Sequence, residues 1–188
     1  DMRGRKTFSP EIDKAADFIA AEFKLAGLQT WGNSQSFRQE FAMVRPKFIS
    51  ASAVLDRVAV SQKDIIVITC QPQLKIDDRS GYEKRFIKAG TNLQTTARGF
   101  ARSNKNLLVL VDKSFTNSSG NLARLKSTMF KTSTNVVFVL SDTDPDTWSV
   151  EARHEIQEQK LTNVVGVLPG KSLTEEFVVF SGHYDHIG

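Results

Sequence analysis

The stretch FSGHYDHIG, residues 180–188, brings His183, Asp185 and His186 close together in sequence. In an extended backbone, residues two apart project to the same side, so His183 and Asp185 act together while Tyr184 turns away. A neutral imidazole binds zinc through one ring nitrogen. A carboxylate that accepts the other N–H fixes the tautomer and strengthens the ligand. His183 and Asp185 are therefore candidates for such a pair, metal ligand and partner carboxylate. Taken alone, a His-x-Asp triplet is a weak signal and fits a hydrogen-bonded surface pair better than a metal site, so the surrounding elements have to decide.

Other chemistry-bearing groups carry less. RHEIQEQK, residues 153–160, has the outline of a helical zinc-protease motif, but Glu158 stands where the second histidine belongs, which leaves an exposed charged helix or loop. Asp142, Asp144 and Asp146 are acids spaced to attract calcium, yet the glycine and distal glutamate of a calcium-binding loop are absent. The single cysteine, Cys70, rules out an internal disulfide framework and lies in the apolar run DIIVITC as a buried thiol.

The elements around the triplet read as α/β. Phe177 to Phe180 is continuously apolar, as in a strand covered on both faces in the middle of a sheet, so His183 emerges at a strand end. Ligands and metals of open α/β sheets gather at such ends. At the other terminus, SPEIDKAADFIAAEFKLAGL has Ser9 as cap, Pro10 at the first helical position, Glu11 and Asp13 in the first turn and Gly27 as stop. Ile12, Ala16, Ile19, Phe23 and Ala26 form its apolar stripe. SFRQEFAMV then alternates like a strand until Pro46 breaks it.

From about residue 46 to residue 160 the texture changes to short strands: ASAVLDRVAV, DIIVITC, NLLVLVD and NVVFVLSD. The last two enclose SSGNLARLKSTMFK, in which Leu122, Leu125 and Met129 predict a crossover helix. QLKIDDRSGYEKRF and DTDPDTWS read as exposed loops.

Composition excludes several classes. The 188 residues are 40% apolar and 24% charged, and the net charge of +4 is spread along the chain, so no nucleic-acid partner is expected. The densest basic stretch, with Lys84, Arg85, Lys88, Arg98, Arg102 and Lys105, reads as a solvated face. No apolar run approaches the roughly 18 residues of a transmembrane helix.

NVVGVLPGK followed by EFVVFSGHYDHIG resembles the start of the catalytic domain in the co-catalytic zinc aminopeptidases, metallopeptidase family twenty-eight, with its glutaminyl cyclase and glutamate carboxypeptidase relatives. The opening GRKTFSPEIDKAADFIAAEFKLAGL with SFRQEF is similar to that family's amino-terminal helix and FxQxF strand. The resemblance implies an α/β peptidase sheet domain, residues 1–45 and 161–188, interrupted by an inserted β-rich protease-associated-like domain at 46–160. It implies that His183 ligates one of two zinc ions, that Asp185 orients it from behind, and that His186 is structural. It further implies peptide substrates, an exported protein, and a chain that is the amino-terminal piece of an enzyme whose remaining ligands and general base lie past residue 188. A piece of that kind would be inactive alone and would leave a sheet edge open to self-association. Two rival readings stay open: a glutaminyl cyclase of the same fold, and a non-catalytic module that binds peptides or proteins.

Overall fold

The computed structural model describes residues 4–126, 129–173 and 175–186. Ile187 and Gly188 of the His-x-Asp stretch, and Ser127 and Thr128 of the expected crossover helix, lie outside the described residues. The elements in chain order are α1 (Pro10–Leu25), β1 (Arg38–Leu55), β2 (Val58–Val60), β3 (Ile65–Ile68), β4 (Gln73–Asp77), β5 (Glu83–Ile87), α2 (Leu93–Ala101), β6 (Leu107–Val111), β7 (Met129–Phe130), β8 (Val136–Leu140) and β9 (Trp148–Val164). The fold is mixed α/β with two sheets. It divides into two compact units, Met43–Glu158 and Asp1–Ala42 with Gln159–Gly188.

The Met43–Glu158 unit is built around a four-stranded sheet in the order β3-β8-β6-β5. β5, β6 and β8 run parallel, and β3 is antiparallel to β8. LLVLV and VVFVL are buried at every position because both faces of this sheet are covered. One set of side chains, Leu107, Val109, Val111, Val136 and Phe138, packs with Leu93 and Ala97 of α2 and with Leu122. The alternate set, Leu108, Leu110, Val137 and Val139, packs with Ala51 and Ala53 of β1, Leu74 of β4, and Trp148 and Val150 of β9. Each fully buried aliphatic of this kind contributes about 1.5–3 kcal/mol of transfer free energy. At the sheet's end the buried Thr69 hydroxyl donates to Asn135 Oδ1 at 2.6 Å, which satisfies two polar groups that burial would otherwise penalise. Cys70 is buried, with its thiol 3.6 Å from the Phe130 carbonyl.

The second unit is organised by α1. Pro10 opens the helix, and Gly27, at φ +76°, ends it in the left-handed conformation that favours glycine. Ser9 occupies the cap position, but its hydroxyl makes no cap bond. Only Ala15 and Ala16 of the helix are buried, with Ile12, Ile19 and Phe23 half-covered. Phe23 meets Phe37 edge-on at 6.1 Å. Gly166 allows the closest approach here, because a Cβ at that position would sit 2.6 Å from Leu28 and 2.7 Å from Phe23.

Several expectations need correction. Pro46 does not end a strand: β1 runs through it, and it falls between the pairing with β7 at Met43 and Val44 and the pairing with β2 at 53–55. A missing N–H breaks none of the bonds those pairings make. The segments read as loops contain β4, β5 and the start of β9, since Leu74 and Ile76 alternate inward beneath exposed charges. RHEIQEQK belongs to β9 and is neither helix nor loop; His154 is buried there against Phe48, ring centroids 5.7 Å apart. The connection between β6 and β8 contains a 3-10 turn at Ser119–Lys126 where an α-helix was expected. The Phe177–Phe180 run forms no strand: these residues are 61%, 83%, 82% and 93% exposed. An extended segment needs a neighbouring strand for its N–H and C=O groups, and no described strand lies beside this one.

Candidate functional site

His183 and Asp185 lie on an irregular extended segment after the exposed apolar run. Their side chains turn to the same side, with His183 Nδ1 3.3 Å from Asp185 Oδ1 and 3.1 Å from the Asp185 carbonyl oxygen. A backbone carbonyl only accepts, so in this contact Nδ1 carries the proton. In the neutral ring the lone pair is then left on Nε2. The His183 side chain is 85% exposed, which leaves that nitrogen accessible to a metal.

Tyr184 goes the other way. Its hydroxyl donates to the Thr162 carbonyl, and burial pushes the phenol above its ordinary value, with Arg38 opposing and Asp13 and Asp185 adding to the shift. It borders a cleft of about 370 Å³ whose walls include Phe8, Asp13, Gln159 and Leu161. Arg38 braces the helix beside this cleft, donating to Asp17 at 2.6 Å and Asp13 at 3.0 Å. The hydrogen bond to Asp17 leads the effects that hold the guanidinium above its ordinary value.

His186, read from the sequence as structural, ties the segment down through its backbone: its N–H donates to the Arg5 carbonyl at 2.8 Å. Among the described residues no group of three or more His, Cys, Asp or Glu side chains is gathered to hold a metal. His183 thus fits zinc as a single imidazole ligand with its carboxylate partner in place, and the other donors of a zinc centre are not supplied by the described residues. Two of the three acids weighed for calcium binding are engaged otherwise, Asp142 with Lys113 at 3.6 Å and Asp144 with Lys84 at 2.6 Å.

Sequence reasoning missed Thr7. Its hydroxyl donates to Asp185 Oδ2 at 3.1 Å across 178 positions of sequence. Arg5 adds a bond from Nε to the Tyr184 carbonyl at 2.9 Å. The only sequence signal was that GRKTFSP belongs to the stretch carrying the family resemblance; no local periodicity connects it to residue 185.

No protein-family profile matches the chain, and no curated protein matches it. Two solved structures are similar to it. The aminopeptidase from Aneurinibacillus sp. strain AM-1 is 15% identical, with 90% of this chain and 45% of that chain covered at a TM-score of 0.31. BSAP, a zinc aminopeptidase from Bacillus subtilis, is 10% identical, with 92% and 44% covered at a TM-score of 0.27. The chain spans less than half the length of either one.

Proposed function

We propose that this chain supplies the first metal ligand of a di-zinc aminopeptidase that releases amino-terminal residues from peptides. The supporting observation is the His183–Asp185 pair, whose geometry commits Nδ1 to hydrogen bonding and leaves Nε2 open. The resemblance of both ends of the sequence to the co-catalytic zinc aminopeptidases points the same way. Zinc, when bound, supplies Lewis acidity toward a scissile carbonyl and a water of lowered pKa. The chain's own residues have a narrower task. His183 donates a lone pair through Nε2. Asp185 orients the ring and neutralises part of the charge that accumulates on it as the metal withdraws electron density. The bridging carboxylate, the remaining ligands and the general base belong, on this reading, to polypeptide outside the described residues. The Met43–Glu158 unit is proposed as an accessory domain that shapes substrate access, since its one histidine, His154, is buried.

The experiment is a pair of substitutions in the polypeptide that carries the whole catalytic half. His183→Ala is expected to remove one zinc and most hydrolysis of amino-acid anilides while the fold persists. Asp185→Asn is expected to keep the ligand set and lower metal affinity or activity by about 10–100-fold, the usual cost of losing the orienting partner. Full activity in a folded, zinc-analysed His183→Ala protein would refute the assignment.

A further inference from the structure

Residues 5–7 run beside residues 184–186, and three hydrogen bonds tie them. The Arg5 carbonyl accepts from the His186 N–H at 2.8 Å, Arg5 Nε donates to the Tyr184 carbonyl at 2.9 Å, and the Thr7 hydroxyl donates to Asp185 Oδ2 at 3.1 Å. The first two fix the backbone on either side of Asp185. The third is different, because it fixes a side chain. Asp185 has two carboxylate oxygens with separate partners: Oδ2 accepts a hydrogen bond from the Thr7 hydroxyl, and Oδ1 faces His183 Nδ1 at 3.3 Å, beside the Asp185 carbonyl at 3.1 Å. A carboxylate on an extended segment otherwise rotates freely and is hydrated at both oxygens. Asp185 is 47% exposed and His183 85% exposed, so packing alone does not hold either one.

We infer that Thr7 is a positioning residue for the candidate zinc ligand: it anchors Asp185 so that His183 keeps its proton on Nδ1 and presents Nε2. The inference rests on the zinc-ligand reading of His183 for its purpose, but the contacts stand on the geometry alone. Thr7 donates to Asp185 Oδ2 at 3.1 Å, and Asp185 Oδ1 lies 3.3 Å from His183 Nδ1. The Asp185 carbonyl at 3.1 Å is the ring nitrogen's nearer acceptor, so Asp185 holds Nδ1–H through both its backbone and its side chain. It assigns a role to the residues ahead of α1. The amino-terminal segment acts as a strap on the metal-ligand segment as well as a lead-in to the helix.

A solvated neutral histidine side chain favours the proton on Nε2, so an Nδ1–H ring is a departure that needs a cause. Long-range ¹H–¹⁵N correlation spectra of the metal-free 188-residue chain, taken near pH ~8 where an ordinary histidine is neutral, read the tautomer of His183 directly. The wild-type chain is expected to show Nδ1–H in excess. Thr7→Val should lower the ratio of Nδ1–H to Nε2–H by about 3–10-fold, in line with the net loss of one ordinary hydrogen bond. Thr7→Ser, which keeps the hydroxyl, should restore it. Should Thr7→Val perturb the fold by circular dichroism, Thr7→Ala, which adds no bulk, takes its place. An unchanged ratio in a folded Thr7→Val or Thr7→Ala chain overturns the inference, as does failure of Thr7→Ser to restore it. A wild-type ring with Nε2–H in excess overturns it too. Zinc is then added to the same samples: a tautomer that follows Thr7 while Nε2 ignores zinc would defeat the proposed function and leave the strap standing. A response of Nε2 to zinc that is indifferent to Thr7, with an indifferent tautomer, would do the reverse.

Discussion

The two units differ most in how they bury apolar side chains. Among the described residues, every buried hydrophobic side chain other than Ala15 and Ala16 lies in the Met43–Glu158 unit. The other unit, which carries His183 and Asp185, shows Phe18, Trp31 and Phe177 to Phe180 more than half exposed. Trp31 and Phe177 do meet edge-on at 5.6 Å, but in the open. One unit therefore has an extensive apolar interior, while the unit with the candidate chemistry combines a small apolar contact around Ala15, Ala16, Phe23 and Phe37 with polar contacts such as Arg38 with Asp13 and Asp17 and Thr7 with Asp185. Exposed ion pairs are each worth about 0–1 kcal/mol, well below the transfer energy of a buried aliphatic. Stability and candidate function are thus placed on different stretches of the same sequence.

The largest effect should come from the well-packed unit. Phe138 is fully buried at the centre of its sheet, and Phe138→Ala is expected to cost about 3–5 kcal/mol in chemical denaturation through lost transfer energy and the cavity left behind. A loss below about 1 kcal/mol, the size expected of a surface change, would show that this core is not the source of stability. A smaller and local effect is expected at Gly166. Its Cβ would press on Leu28 and Phe23, and both neighbours are movable side chains, so Gly166→Ala should cost about 1–3 kcal/mol. Hydrogen exchange should place the loosening in α1 and leave β6 and β8 protected. If β6 and β8 lose protection equally, the comparison between the units fails.

The smallest effect expected is that of acid, and it too divides the molecule. Hydrogen bonds from Ser80 to Asp77, Ser114 to Asp112, Lys75 to Glu151 and Gln157 to Glu155 hold these carboxyls below their ordinary values, and all four lie in the Met43–Glu158 unit. A carboxyl with a folded value below its unfolded one adds stability above the unfolded value, about pH 4, and loses it as pH falls through the folded value. The thermal midpoint of the β6–β8 core should therefore fall gradually below about pH 4, and Asp77→Asn should flatten that slope. A midpoint that does not change over this range would contradict the shifts.

What was legible in the sequence follows the same division of forces. NLLVLVD and NVVFVLSD could be read as strands because short apolar runs between polar stretches are a local signal. A run apolar at every position identified a doubly covered strand wrongly at Phe177–Phe180, where composition cannot supply the neighbouring strands. Pro10 and Gly27 bracket α1 because helix ends impose local backbone demands. β4 and the first part of β9 were misread because charged outward residues such as Lys75 and Glu151 drew attention away from the inward alternation of Leu74, Ile76, Val150 and Ala152. The His183–Asp185 pair could be read because two residues apart is a local relation. Its link to Thr7 could not, since chain reversal over 178 positions leaves no trace in spacing.

The central claim, that His183 presents one zinc ligand within an incomplete centre, is tested most directly by calorimetric titration of the 188-residue chain with zinc beside its His183→Ala variant and an aminopeptidase assay. One imidazole cannot replace the three or four protein donors of a zinc site, so the account predicts binding weaker than micromolar, abolished by His183→Ala, and no hydrolysis. Sub-micromolar binding with turnover, or binding that persists unchanged in His183→Ala, would contradict it.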